Sequence, residues 1–160
     1  METLMLFVET TAQEQRRDLC RWVERFVDEG RRVFVWTGST ISAQQLNGLL
    51  WSFSKQSFVP HRIVTDADDG ESAPEPVLIG WVLPERGRVQ VLVCDEAPDL
   101  ATVPSCEMIV HFVPMDDPVK REESRRLWTT AKGMGYAVRH VPKEPAKSSG
   151  NTITRRVPSP

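Results

Sequence analysis

Residues 108–136, MIVHFVPMDDPVKREESRRLWTTAKGMGY, constrain the fold more than any other stretch because they run a buried strand directly into a helix. Met108 to Val113 is apolar around a single histidine, which suits a strand covered on both faces. Pro114 turns the chain. Asp116 or Asp117 can then cap the first helical turn, and Pro118 suits the first helical position. Glu122 and Glu123 fall in the early turns and Lys132 in the last one, as the helix dipole favours. Gly133 or Gly135 ends the helix by accepting a left-handed conformation.

The two faces of this helix differ. At about 100° per residue, Arg121, Arg125, Trp128 and Lys132 fall within an arc of roughly 60°. Val119, Leu127, Thr130, Ala131 and Met134 gather on the opposite side, which is expected to be buried. Trp128 is thus expected to lie exposed among cations. One reading is a solvated cationic face with the indole beneath arginine stems. The other is a docking site for a ligand with one apolar and one anionic group. The guanidinium groups would grip the anion bidentately while Trp128 flanks the apolar part.

The rest of the chain supplies further strands and helices. Thr3 to Val8 fits a buried strand, and Thr10 or Thr11 can cap a helix over about Gln13 to Glu29 that stops at Gly30. Val33 to Trp36 is a second buried strand. A helix from a cap at Thr40 or Ser42 to about Phe53 follows, lined by Leu46, Leu49, Leu50 and Phe53. Pro60 makes 54–64 an extended piece or edge strand, and 65–75 is an acidic loop. Val77 to Val82 and Val89 to Val93 are expected as strands joined by a hairpin-like turn at PERGR, and Ala137 to Val141 as the last strand. This pattern predicts one three-layer α/β domain over residues 1–141. Its sheet is mainly parallel or mixed, flanked by helices, Rossmann-like without a nucleotide motif. Residues 142–160, rich in proline and serine, are expected to form a disordered tail.

Composition narrows the chemistry. A net charge of −2 gives no bulk attraction to nucleic acid phosphates, so any basic site is local and direct binding of single-stranded DNA is not expected. Cys20, Cys94 and Cys106 have no C-x-x-C spacing and read as buried thiols of a reducing, cytoplasmic setting. No segment has the length of a membrane span. His61, His111 and His140 lack metal-ligand spacing, and His111 reads as a hydrogen-bonded structural histidine. The βα turns ETTAQEQ and WTGST lack phosphate-loop glycines. No metal, cofactor or catalytic set is therefore expected. The alternative is a nucleotide- or phosphoester-handling α/β enzyme using the strand end at Cys94-Asp95.

A second informative stretch is Leu49 to Ile63, LLWSFSKQSFVPHRI. Its aromatic and proline residues either lid the core or form a protein-binding patch. Three segments together resemble the chi subunit of bacterial DNA polymerase III holoenzyme: LWSFSKQSFVPH at Leu50 to His61, VHFVPMDDP at Val110 to Pro118, and R-x-x-x-R-x-x-W-x-x-x-K-x-x-G from Arg121 to Gly135. The resemblance spans about Thr3 to Val141. It implies a non-catalytic accessory protein of the clamp-loader assembly that binds no cofactor. That protein links the polymerase to the acidic, phenylalanine-ending C-terminal tail of single-stranded DNA-binding protein. It places tail binding at Arg121, Arg125, Trp128 and Lys132, with Val113 and Pro114 walling the pocket. It places a second interface, for the psi subunit or an accessory helicase, at Trp51, Phe58, Val59, Pro60 and His61.

Overall fold

The structure, a computed structural model, describes residues 2–53, 59–65, 74–83 and 89–143. In chain order these form β1 (Leu4–Thr10), α1 (Gln15–Asp28), β2 (Val33–Trp36), α2 (Thr40–Phe53), β3 (His61–Ile63), β4 (Val77–Gly80), β5 (Val91–Cys94), β6 (Met108–Pro114), α3 (Pro118–Gly133) and β7 (Ala137–Val141). The strands make a seven-stranded sheet in the order β3-β4-β2-β5-β6-β1-β7. Its ladders are all parallel, so the α/β expectation holds in its parallel form. The expected hairpin is corrected: β4 and β5 flank β2 on opposite sides and both run parallel to it. A hairpin needs antiparallel neighbours, and two apolar runs close in sequence do not reveal that a third strand has come between them. PERGR itself, residues 84–88, lies outside the described residues.

Alternation along the strands divides the core into two layers. Leu6 and Val8 of β1 join Leu19, Trp22, Val23 and Phe26 of α1 and Ala43, Leu46 and Leu50 of α2 on one face. Met5 and Phe7 join Ile109 of β6 and Leu127 and Ala131 of α3 on the other. Among the described residues a single helix thus covers the second face near β6, β1 and the edge strand β7. Farther along, Leu100 closes over Leu92 and Phe34 with help from Ala97 and Val103. This one-helix cover leaves room beside α3 for a cleft.

The connections from the adjacent strands β1 and β6 diverge. β1 leads through α1 to β2 on one side, and β6 leads through α3 to β7 on the other. Crevices at the carboxyl ends of strands that part in this way are the usual ligand sites of open parallel sheets.

Local signals account for several helix ends. Gly30, after α1, has φ 76°. Neither Thr10 nor Thr11 caps α1, whose N-cap is Glu14 without a side-chain cap bond. Thr11 Oγ1 accepts the Glu14 N–H at 3.2 Å in a turn before the helix, Thr10 Oγ1 donates to Asp18 Oδ2 at 2.6 Å, and α1 starts two residues later than expected. Ser39, rather than Thr40 or Ser42, caps α2, accepting the Ser42 N–H at 3.1 Å. Residues 144–160 of the expected tail, and 66–73 of the acidic loop, fall outside the described residues. No helix among the described residues is long and apolar enough to cross a membrane.

Candidate functional site

α3 is fixed at both ends by the residues its sequence singles out. Asp117 Oδ1 accepts the N–H groups of Val119 and Lys120, each at 3.1 Å, and Pro118 opens the helix. Asp116 does not cap the helix. Its Oδ1 accepts the Ala12 N–H at 2.9 Å, tying the start of α3 to the segment after β1. Gly135 takes the left-handed conformation, φ 86°, beyond the last turn.

The buried face of α3 is not the expected one. Val119 is 76% exposed, Met134 47% exposed and Thr130 exposed, while Ser124, Leu127 and Ala131 are buried. Leu127 and Ala131 are common to both, so the helix is rolled about its axis by roughly 60° at 100° per residue. Val119 and Met134 belong to the two ends of α3, away from the Phe7–Ile109 core, whereas Ser124 lies over β6. There its Oγ is 2.8 Å from His111 Nε2, which lets a short polar side chain be buried. The roll also carries Trp128 inward. Its indole is half-buried, packing edge-on against Phe7 of β1 with ring centroids 5.0 Å apart and 62° between planes.

Beside this indole is a cleft of about 420 Å³. α3 contributes Arg121, Ser124, Arg125, Trp128 and Thr129; β1 contributes Phe7 and Glu9, β6 Val113, and β7 His140, with Met115 beyond β6. The pairing Phe7↔His111, Glu9↔Val113 and Phe7↔His140 sets the floor. These strand residues share one side of the sheet through alternation. Arg121 is half-buried and Arg125 exposed. Arg125 Nη1 is 3.9 Å from Glu122 Oε2, a loose exposed pair that contributes little and yields readily to a better acceptor. The cleft thus has an aromatic floor and two guanidinium groups on one rim, suited to an apolar side chain next to an anion.

Glu9 adds a negative group to that wall. Burial pushes its carboxyl up, but the Lys143 N–H, His140 and Arg121 outweigh this and hold it below the ordinary glutamate value. Its Oε1 accepts the Lys143 N–H at 3.1 Å and its Oε2 meets His140 Nε2. Under the floor, burial pushes the His111 imidazole down to about 4, so it is neutral near pH 7.

Of the expected tail-site residues, Arg121, Arg125, Trp128 and Val113 come together in the cleft. Lys132 is exposed outside it and Pro114 is buried outside it. Phe7, Glu9, Ser124 and His140 line the cleft without having been among the expected tail-site residues. A weak signal was present for two of them, since Phe7 and Glu9 alternate at the carboxyl end of β1.

In the second region, Trp51 is 54% exposed and its ring packs on His61, with centroids 4.6 Å apart. His61 and Val59 are buried, so they support the patch and leave Trp51 and half-buried Pro60 at its surface. His61 Nδ1 lies 2.7 Å from the Val59 carbonyl oxygen. Phe58 lies outside the described residues.

The strand end at Cys94-Asp95 is occupied by the protein's own groups. Burial raises the Cys94 thiol well above its usual range, leaving it protonated and a poor nucleophile. Asp95 is held by Arg16 at 3.3 Å and by Gln15, whose Nε2 donates to its backbone oxygen at 2.6 Å. The Glu96 carboxylate packs against Gly38, where a β-carbon would meet its Oε2 at 2.0 Å. An anion at the start of α2 would first have to displace that carboxylate.

The family model described as "DNA polymerase III chi subunit, HolC" matches residues 2–139. The DNA polymerase III subunit chi of Pseudomonas aeruginosa is 27% identical over 119 residues, which are 73% of this chain and 78% of that one. That of Haemophilus influenzae is 28% identical over 100 residues, 61% of this chain and 66% of that one. Among solved structures, the C-terminal domain of S. cerevisiae Dbp5, bound to Gle1 and IP6, has a TM-score of 0.61 at 16% identity. It covers 88% of this chain and 90% of that one, a likeness of fold alone.

Proposed function

The chain belongs to the DNA polymerase III chi subunit family, and from that premise we propose that it is a non-catalytic adaptor whose α3 cleft binds the C-terminal tail of single-stranded DNA-binding protein. The observation that carries this reading is the meeting of Arg121, Arg125 and Trp128 along one cleft. A tail that is acidic and ends in phenylalanine with a free carboxylate has the two features this cleft accepts. The phenyl ring would lie over Phe7 and against Trp128 and Val113, with the carboxylate at the guanidinium rim. Burying such a ring is worth about 1.5–3 kcal/mol, and each hydrogen bond to the carboxylate adds roughly 1.5–3 kcal/mol. Ordering the tail takes back several kcal/mol. Micromolar affinity, about −8 kcal/mol, follows, and it weakens as salt rises.

Arg125→Ala is expected to weaken binding of a fluorescent tail peptide at least tenfold in polarisation assays. The melting temperature should not fall, because Arg125 is exposed and only loosely paired. Amidating the peptide's terminal carboxylate should have a comparable effect. Unchanged affinity in both measurements would remove the cleft as the tail site.

The second interface is proposed at Trp51 and Pro60, facing the psi subunit or an accessory helicase of the cytoplasmic replication machinery. An indole half exposed on a buried histidine is a rigid aromatic anchor. Trp51→Ala should reduce capture of that partner from native extract while tail-peptide binding stays constant. Equal loss of both would mean that the substitution acts on the fold.

A further inference from the structure

We propose that Ser124 is a specificity-determining residue of the cleft, its hydroxyl donating a hydrogen bond to the ligand's terminal carboxylate because His111 holds its oxygen from below. This inference rests on the docking reading above and names an additional donor within that site. Ser124 is 5% exposed, lines the cleft, and has Arg121 and Arg125 as neighbours three positions before and one after on α3. With Trp128, these residues stand at i, i+3, i+4 and i+7, one continuous patch of helix surface. An anion gripped by both guanidinium groups would therefore sit within a helical turn of Ser124, along the same cleft.

The direction of the buried bond follows from His111. A neutral imidazole carries one N–H, and His111, 4% exposed, has Nε2 at 2.8 Å from Ser124 Oγ while its Nδ1 has no hydrogen-bond partner among the described residues. A proton on Nδ1 would be a buried donor with nothing to receive it, costlier than a lone pair left alone. The proton therefore belongs on Nε2, which donates to Ser124 Oγ. That leaves the serine's own O–H to find an acceptor elsewhere. Thr129 and Thr130 of the same helix turn their hydroxyls back to the carbonyl oxygens of Arg125 and Arg126, at 3.2 and 3.0 Å. Ser124 makes no such bond among those of the described residues, and the cleft is the remaining direction for its proton.

The test combines a protein variant with a peptide variant. An acidic peptide ending in phenylalanine is titrated, as the free acid and as the amide, against the native protein and Ser124→Ala. The native protein should prefer the acid. In Ser124→Ala the acid should lose about tenfold in affinity and the amide far less, so the acid-to-amide ratio falls by nearly that factor. A merely loosened helix would weaken both peptides alike. Nitrogen-15 NMR of native His111 supplies a readout that needs no substitution, with the Nε2–H tautomer expected near pH 7. A native protein that binds neither peptide overturns the docking reading and this inference with it. A native preference for the acid that survives intact in Ser124→Ala, or an Nδ1–H tautomer, overturns the role of Ser124 alone.

Discussion

Replacing Phe7 by alanine lowers the free energy of unfolding by about 3–5 kcal/mol, the range for deleting a large aromatic from a packed core. Phe7 is 3% exposed on β1, with His111 of β6 on one side at 5.3 Å and 74° and Trp128 of α3 on another at 5.0 Å and 62°. Both contacts are edge-to-face, the favourable arrangement for aromatic pairs, and each is worth about 0.5–1.5 kcal/mol beyond buried area. The ring is therefore the common support of a buried histidine and a half-buried indole, and its loss leaves a void directly beneath the cleft. Urea unfolding of the native protein, Phe7→Ala and Phe7→Leu measures the effect. The leucine variant should recover the larger part of the stability by filling the void. It should still bind tail peptide more weakly, because a branched aliphatic chain cannot hold the indole at the same angle. A loss below about 1 kcal/mol in Phe7→Ala would show that the site collapses freely and does not hold Trp128 in place.

Local chemistry made α3 readable from sequence. The cap at Asp117, the proline after it and the left-handed Gly135 are each specified by neighbours within a few residues. The alignment of Arg121, Arg125 and Trp128 needs only the helical repeat. What required the fold was the partner surface. Glu9 and His140 are 131 residues apart and meet only because β1 and β7 pair. Ser124 looks like an ordinary polar helix residue until His111 is placed under it, and that depends on which strand α3 crosses. The roll of α3 was missed for the same reason. A hydrophobic count ranks Val119 and Met134 above Ser124, yet Ser124 stands over β6 with a hydrogen bond to His111, while the apolar side chains stand at the helix ends. Strand order was hidden for a related cause, since parallel neighbours need not be consecutive in the chain, as β2 between β4 and β5 shows.

The buried histidine also sets how the protein responds to acid. An unfolded histidine titrates near 6.5, whereas burial pushes folded His111 down to about 4. Between these values the unfolded chain binds a proton that the native state refuses, so stability falls as pH falls. The whole interval is worth about 3 kcal/mol for this one group. Below about 4 the folded histidine is protonated too and adds no further loss. Glu9 acts in a later window. Its folded carboxyl is held below the ordinary glutamate value, so its contribution is present at neutral pH and is lost only as pH drops through that lowered value. Urea midpoints measured from pH 7.5 down to 4.5 should therefore decline in the native protein. The decline should flatten in His111→Gln, whose amide N–H reaches the place of Nε2 and can still donate to Ser124 but cannot titrate. Parallel profiles for the two proteins would mean that His111 is hydrated in the native state, and the bond to Ser124 under the cleft would lose its enforced direction.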